Sequence, residues 1–186
     1  MKIGSEYQPG HFYPDARSNI YLKQGEFFVS NAGEAQVRTV LGSCVTVTMH
    51  CPVLQIGGIT HSLLPFPLPN TKVMPHDKGR YVDSSVNHIF EKLIGRGCSR
   101  SRLEVKIFGG SQMLLPVPGK PVYEKLNIGR RNVETALKVI QQLGLNITAT
   151  DVGGNHGRKL LFFPHRGDVW VKKINRSASQ TGVSHD

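Results

Sequence analysis

The sequence predicts a mixed α+β (α/β) fold, a single-domain layered sandwich of mixed β-sheet with two main helices. Three observations lead there. Short segments of alternating polar and apolar residues recur along the chain, as half-buried strands require. Only two stretches carry apolar residues at the spacing of an amphipathic helix. Several strand-like segments are near neighbours joined by turn signals, which suits antiparallel hairpins and argues against an all-parallel sheet.

Residues 1–25 are polar and turn-rich, with Pro9-Gly10 and Pro14-Asp15, and read as an N-terminal arm laid over the surface. The body is expected to span residues 26–174. A first strand is expected at 25–30, followed by a turn at Asn31-Ala32-Gly33. Residues 36–41 alternate polar and apolar, and residues 45–49 alternate with β-branched side chains dominant. Pro52 suits the second position of a tight turn, so residues 51 and 54 are expected to flank a hairpin. The proline-punctuated segment from Pro65 to Asp77 is long for a connector and reads as a functional rim.

Residues 81–94 place Val82, Val86, Ile89, Phe90 and Leu93 on one helical face, with Gly95 and Gly97 ending it. A strand follows at 103–108, stopped by Gly109-Gly110. A second loop around 116–120 leads to Asn127 and a helix whose apolar face is Val133, Ala136, Leu137, Ile140 and Leu143, with Gly144 as its C-terminal cap. Strands at 146–152, 159–163 and 168–174 complete the body, and residues 175–186 read as a disordered basic tail.

The formal charge of +10 favours an acidic partner, whether nucleic acid, anionic membrane or protein. No nucleic-acid recognition motif or aromatic stacking platform accompanies the charge, so an acidic protein surface is the reading retained. No apolar run is long enough to span a bilayer, and the N-terminus lacks a signal-peptide core, so a cytoplasmic location is expected. Three cysteines without repeated spacing form neither a disulfide framework nor a zinc site. The eight histidines lack the pairing of a metal centre, and neither metal nor cofactor is expected.

Cys44 is the cysteine with context. It ends the small-residue turn Gly42-Ser43-Cys44, ahead of an apolar strand, and His61 follows seventeen positions later. If residues 51 and 54 flank the hairpin turn, opposing residue numbers sum to 105 and Cys44 faces His61. A three-residue loop would instead turn His61 to the other face. A thiolate is the nucleophilic form of cysteine, and histidine is the usual group that takes and returns its proton. Gly42 permits the tight turn, and amides near Ser43 and Cys44 could stabilise an oxyanion. Thr39, Ser43, Thr60 and Ser62 are the hydroxyls near enough in sequence to orient the imidazole. The Gly-Gly pairs at Gly57-Gly58 and Gly109-Gly110 could bring backbone close to a substrate, or serve only as bulges and turns.

Five motifs in order then resemble the CheD family of chemoreceptor glutamine deamidases. They are the segment Thr39 to Val45, Gly57 to Pro65, Lys106 to Met113, Asn127 to Asn132, and Asp151 to Arg158. The resemblance covers about residues 20–174 and marks 26–174 as the deamidase domain. It implies a cysteine-hydrolase sandwich similar to the catalytic domain of cytotoxic necrotizing factors, and hydrolysis of receptor glutamines to glutamates. Cys44 then matches the nucleophile, His61 the general base, and Thr39 the third residue. Gly109-Gly110-Ser111 stands where the family has Gly-Gly-Ala. The implied partners are the acidic cytoplasmic helices of chemoreceptors and a CheC-type phosphatase. A non-catalytic module that binds such a phosphatase is the alternative function, and a basic nucleic-acid binder ranks behind it.

Overall fold

The computed structural model describes residues 18–31, 34–112 and 127–174. The first seventeen residues of the arm, part of the expected turn at 31–33, the loop around 116–120 and the tail at 175–186 lie outside the described residues.

Among the described residues, nine strands and two α-helices form three layers. In chain order they are β1 (Ser18–Tyr21), β2 (Phe27–Val29), β3 (Ala35–Leu41), β4 (Val45–Cys51), β5 (Ile56–Thr60), α1 (Val82–Ile94), β6 (Glu104–Gly109), α2 (Ile128–Gln142), β7 (Ile147–Val152), β8 (Gly157–Phe163) and β9 (Asp168–Ile174). One sheet has the order β1-β3-β8-β9 and the other β2-β5-β4-β6-β7. Each contains one parallel pair, β1 with β3 and β6 with β7, so both are mixed. The expected α+β sandwich is present, with its strands divided between two sheets.

The central strand β4 is buried on both faces and divides the core by side-chain parity. Val45, Val47, Met49 and Cys51 pack with Val86, Ile89, Phe90 and Leu93 of α1 and with Ala136 and Ile140 of α2. The opposite face meets the other sheet, whose Val37, Leu41, Leu160 and Phe162 form a second cluster with Ile59 of β5 and Cys44. Asn127 caps α2 by accepting from the Arg130 amide at 3.0 Å. Gly144, at φ +64°, ends it as expected.

The chain departs from two expectations. Ser18–Tyr21, inside the stretch read as an arm, pairs in register with β3, and Leu22 is buried in the inter-sheet core. The turn after β4 also differs. Cys51 pairs with Ile56, so the loop holds four residues and opposing numbers sum to 107 instead of 105. Gln55 takes a left-handed conformation (φ +53°) that closes this longer loop.

Candidate active site

Between β3 and β4 the backbone bends through Gly42, Ser43 and Cys44, and three donors, two from the segment after β6 and one from α2, hold its consecutive carbonyls. Ser111 N–H donates to Gly42 O (2.8 Å), the Asn132 side-chain amide to Ser43 O (3.0 Å), and Gly110 N–H to Cys44 O (2.8 Å). Across a trans peptide the carbonyl and the following N–H point in opposite directions. Fixing the carbonyls of Gly42 and Ser43 therefore directs the amides of Ser43 and Cys44 to the other side of the turn. The Cys44 amide lies beside its own sulfur and opposes the upward pull of burial on the thiol pKa.

Glycines make this approach possible. A Cβ on Gly109, whose φ is +99°, would lie 2.2 Å from Cys44 O, and one on Gly129 would lie 2.6 Å from Gly110 O. The end of β6 and the first turn of α2 thus press backbone against backbone beneath the cysteine.

His61 follows β5 on the face turned to the other sheet. Its Nδ1 lies 2.6 Å from Thr39 Oγ1, and the Thr39 hydroxyl donates to Leu22 O at 2.8 Å. A hydroxyl has one proton, and here it goes to Leu22. Thr39 must then accept from His61, which places the ring proton on Nδ1 and leaves Nε2 as a bare acceptor. That Nε2 is buried without a hydrogen-bond partner. Burial lowers the His61 pKa below its ordinary value, against opposing contributions from the Leu22 carbonyl and Glu26. Burial raises the Cys44 thiol. Both shifts favour a resting pair of neutral thiol and neutral imidazole.

The hairpin register relates the two groups differently from the expectation. Val45 pairs with Ser62, and Met49 with Gly58, so Leu63 lies across from Cys44 while His61 is its diagonal neighbour. The slip is two residues, so both side chains stay on the inter-sheet face. Diagonal neighbours have Cα atoms about 7–8 Å apart and Cβ atoms somewhat closer, within the span of two side chains reaching toward each other.

The remaining sequence candidates are dispersed. Thr60 and Ser62 point to the helix layer, where the Thr60 hydroxyl accepts from Val47 N–H (3.1 Å) and the Ser62 and Ser85 hydroxyls hydrogen-bond each other (2.6 Å). Gly57 and Gly58 sit at the far half of the hairpin, opposite His50 and Met49. Gly57 is sealed against Phe162 and Gly58 against Ile89. Gly109 and Gly110 lie at the site, packed against the cysteine turn.

Three contributors escaped the sequence reading. Asn132 is fully buried and donates to Leu63 O (2.8 Å) as well as to Ser43 O, so one amide ties the cysteine turn to the segment after His61. Its signal was a polar residue in phase with Ala136 and Ile140 on the buried face of α2. Arg158, 1% exposed, donates to Asp151 Oδ1 (2.8 Å) and to Ser111 Oγ (2.6 Å), bracing the residue that holds Gly42. Burial raises the Asp151 carboxyl, but the Arg158 hydrogen bond and charge outweigh it, and the pKa lies below its ordinary value. The signal for Arg158 was its parity with Leu160 and Phe162. Leu22 acts through a backbone carbonyl, which leaves no trace in sequence. No cluster of three His, Cys, Asp or Glu side chains suited to a metal occurs among the described residues.

Comparison with known proteins adds an independent line. The family profile described as CheD chemotactic sensory transduction matches residues 63–173. A probable chemoreceptor glutamine deamidase CheD of Geobacter sulfurreducens is 41% identical over 88% of this chain and 94% of its own length. One from Maridesulfovibrio salexigens is 40% identical over 84% of this chain and 92% of its own. A third, from Oleidesulfovibrio alaskensis, is 37% identical over 87% and 76%.

Proposed function

From the premise that the chain belongs to the CheD family, we propose that it hydrolyses glutamine side chains of chemoreceptors to glutamate, with Cys44 as nucleophile, His61 as general base and Thr39 as the group that orients it. The observation that carries this reading is the Thr39–His61 hydrogen bond, which leaves an unpartnered Nε2 on the face that also bears Cys44.

Each step follows from a feature of the site. His61 Nε2 takes the Cys44 thiol proton as Sγ attacks the glutamine carboxamide carbon. The tetrahedral oxyanion lies against the Ser43 and Cys44 amides, aimed away from the donors that hold their carbonyls. The proton on Nε2 passes to the departing nitrogen, ammonia leaves, and a thioester remains on Cys44. Water then attacks the thioester while Nε2 takes its proton. Collapse releases the glutamate side chain and returns the proton to the thiolate. Thr39 stays hydrogen-bonded to Nδ1 throughout, so the same nitrogen exchanges protons at every step.

The substrate reading also gives the charge of +10 a use, since a basic protein is drawn to an acidic target. The reaction takes place at the cytoplasmic portion of the receptor. Among the described residues no helix is long and apolar enough to cross a membrane. A CheC-type phosphatase is a second partner, and its binding should survive removal of the thiol.

Cys44→Ala tests the reading. The variant should fold with an unchanged unfolding midpoint yet release no ammonia from a purified chemoreceptor cytoplasmic fragment. Mass spectrometry of that fragment should find amide-to-carboxyl conversion with the wild-type protein alone. Conversion by Cys44→Ala at the wild-type rate would overturn the assignment.

A further inference from the structure

Residues 65–80 form an excursion clamped at its base. Leu63 N–H and Leu64 N–H donate to Arg80 O (2.9 and 3.2 Å), and Val82 N–H donates to Leu64 O (2.8 Å). A compact loop with its ends held together is an Ω-loop, a structure often used for recognition. A turn closed by Thr71 N–H donating to Leu68 O, with Asn70 at φ +65°, folds the excursion back on itself.

The loop carries large apolar side chains that the core does not take up. Phe66 is 45% exposed, Leu68 70%, Val73 42% and Met74 40%. Single exposed apolar residues are ordinary, but four on one clamped loop make a patch of the kind that marks a binding surface. The same loop carries exposed cations. Lys72, Lys78 and Arg80 are exposed and unpaired among the described residues, and the Arg131 guanidinium sits 5.5 Å from the centre of the Phe66 ring.

The loop adjoins the active-site residues along the chain. Its base begins at Leu63, two residues after His61, or about 7 Å along an extended chain. Arg131 precedes Asn132, whose amide holds both Leu63 O and the carbonyl of Ser43.

We propose that this loop is the docking surface for the macromolecular substrate, an acidic amphipathic segment that lays its apolar face on Phe66 and Leu68. Its carboxylates meet Lys72, Lys78 and Arg80, and docking brings the target amide to Cys44. The apolar contacts hold the segment, while the cations speed encounter and exclude basic segments. The inference rests on the deamidase reading for the identity of the substrate. The apolar-cationic composition and the position beside His61 stand without it.

The test measures binding and turnover separately. Binding of a purified chemoreceptor cytoplasmic fragment is titrated calorimetrically against the full chain carrying Cys44→Ala, so that turnover plays no part. Phe66→Ala with Leu68→Ala, and Lys72→Glu with Lys78→Glu, are then added to that background. Each pair should weaken binding at least about tenfold, and the charge pair should remove much of its salt dependence. In the Cys44-intact chain the same pairs should raise KM for ammonia release and leave kcat nearly unchanged. Unchanged unfolding midpoints show that the loop changes are local. Binding within about twofold of the parent for both pairs would overturn the proposal, as would no detectable binding of the unmodified surface. Loss of binding in the variants, with no ammonia released by the intact protein, would support the docking surface and overturn the deamidase reading alone.

Discussion

Thr39→Val removes a single hydroxyl that the site uses twice. In a residue 1% exposed, the oxygen accepts from His61 Nδ1 at 2.6 Å and its proton goes to Leu22 O at 2.8 Å. Valine fills nearly the same space and offers neither interaction. Each buried group left without its partner costs about 1–3 kcal/mol, so stability should fall by about 2–4 kcal/mol, read from a denaturant midpoint. The effect on rate is a separate matter. Without the Thr39 hydroxyl at Nδ1 the ring proton is held there less firmly and can move to Nε2, and an imidazole protonated there cannot take the proton of Cys44. Losing an orienting partner costs about 10–100-fold at metal-bound histidines and about 10⁴-fold in a serine-protease triad. Here kcat for ammonia release should drop by about 100-fold or more, with KM changed little. Thr39→Ser restores the hydroxyl and should recover most of the rate. A Thr39→Val protein that folds and keeps kcat within about threefold of wild type would refute the relay.

Other outcomes follow from the same geometry. Asn132→Leu keeps the volume but strips donors from Ser43 O and Leu63 O; it should cost about 2–4 kcal/mol and speed amide hydrogen exchange in the cysteine turn. Gly109→Ala places a methyl 2.2 Å from Cys44 O at a φ of +99°, so activity should be lost and stability reduced by about 3 kcal/mol or more in chemical denaturation. Because burial depresses the folded pKa of His61, its contribution to stability is complete above the ordinary value of 6.5 and is lost as pH falls through the folded value. Unfolding midpoints should therefore decline on acidification, less steeply in His61→Gln. For the same reason the acid limb of kcat/KM should have its midpoint below 6.5, and a midpoint above it would contradict the buried, neutral base.

Much of the fold could be read from the chain because periodicity reports burial locally. The alternation in residues 36–41 and 45–49 marks strands, and the spacing of Val82, Val86, Ile89 and Leu93 marks the face of α1 that meets the sheet. Parity also carries the main site inference. Cys44 and His61 share a face whether the hairpin loop holds two residues or four, because a slip of two preserves the side on which every residue lies. The exact register was beyond the sequence. It depends on Gln55 adopting a positive φ, a conformation that glycine advertises and glutamine does not.

What the sequence determined by itself is the set of short-range facts: a mixed fold, two helices, a lone cysteine on a glycine turn, and a histidine that shares its face if the hairpin loop has an even length. Tertiary structure decided which distant groups complete the site. Local sequence left Thr39 one hydroxyl among four and only the family resemblance singled it out; β3 and β5, from different sheets, set it against His61. Leu22 contributes a carbonyl that any residue could supply, through a strand pairing too short to announce itself. Asn132 and Arg158 are polar residues on buried faces. Only folding brings to them the carbonyls and carboxylate that make their burial stable and the cysteine turn rigid. Side-chain period is a property of neighbours in the chain, whereas a hydrogen-bond partner is a property of neighbours in space.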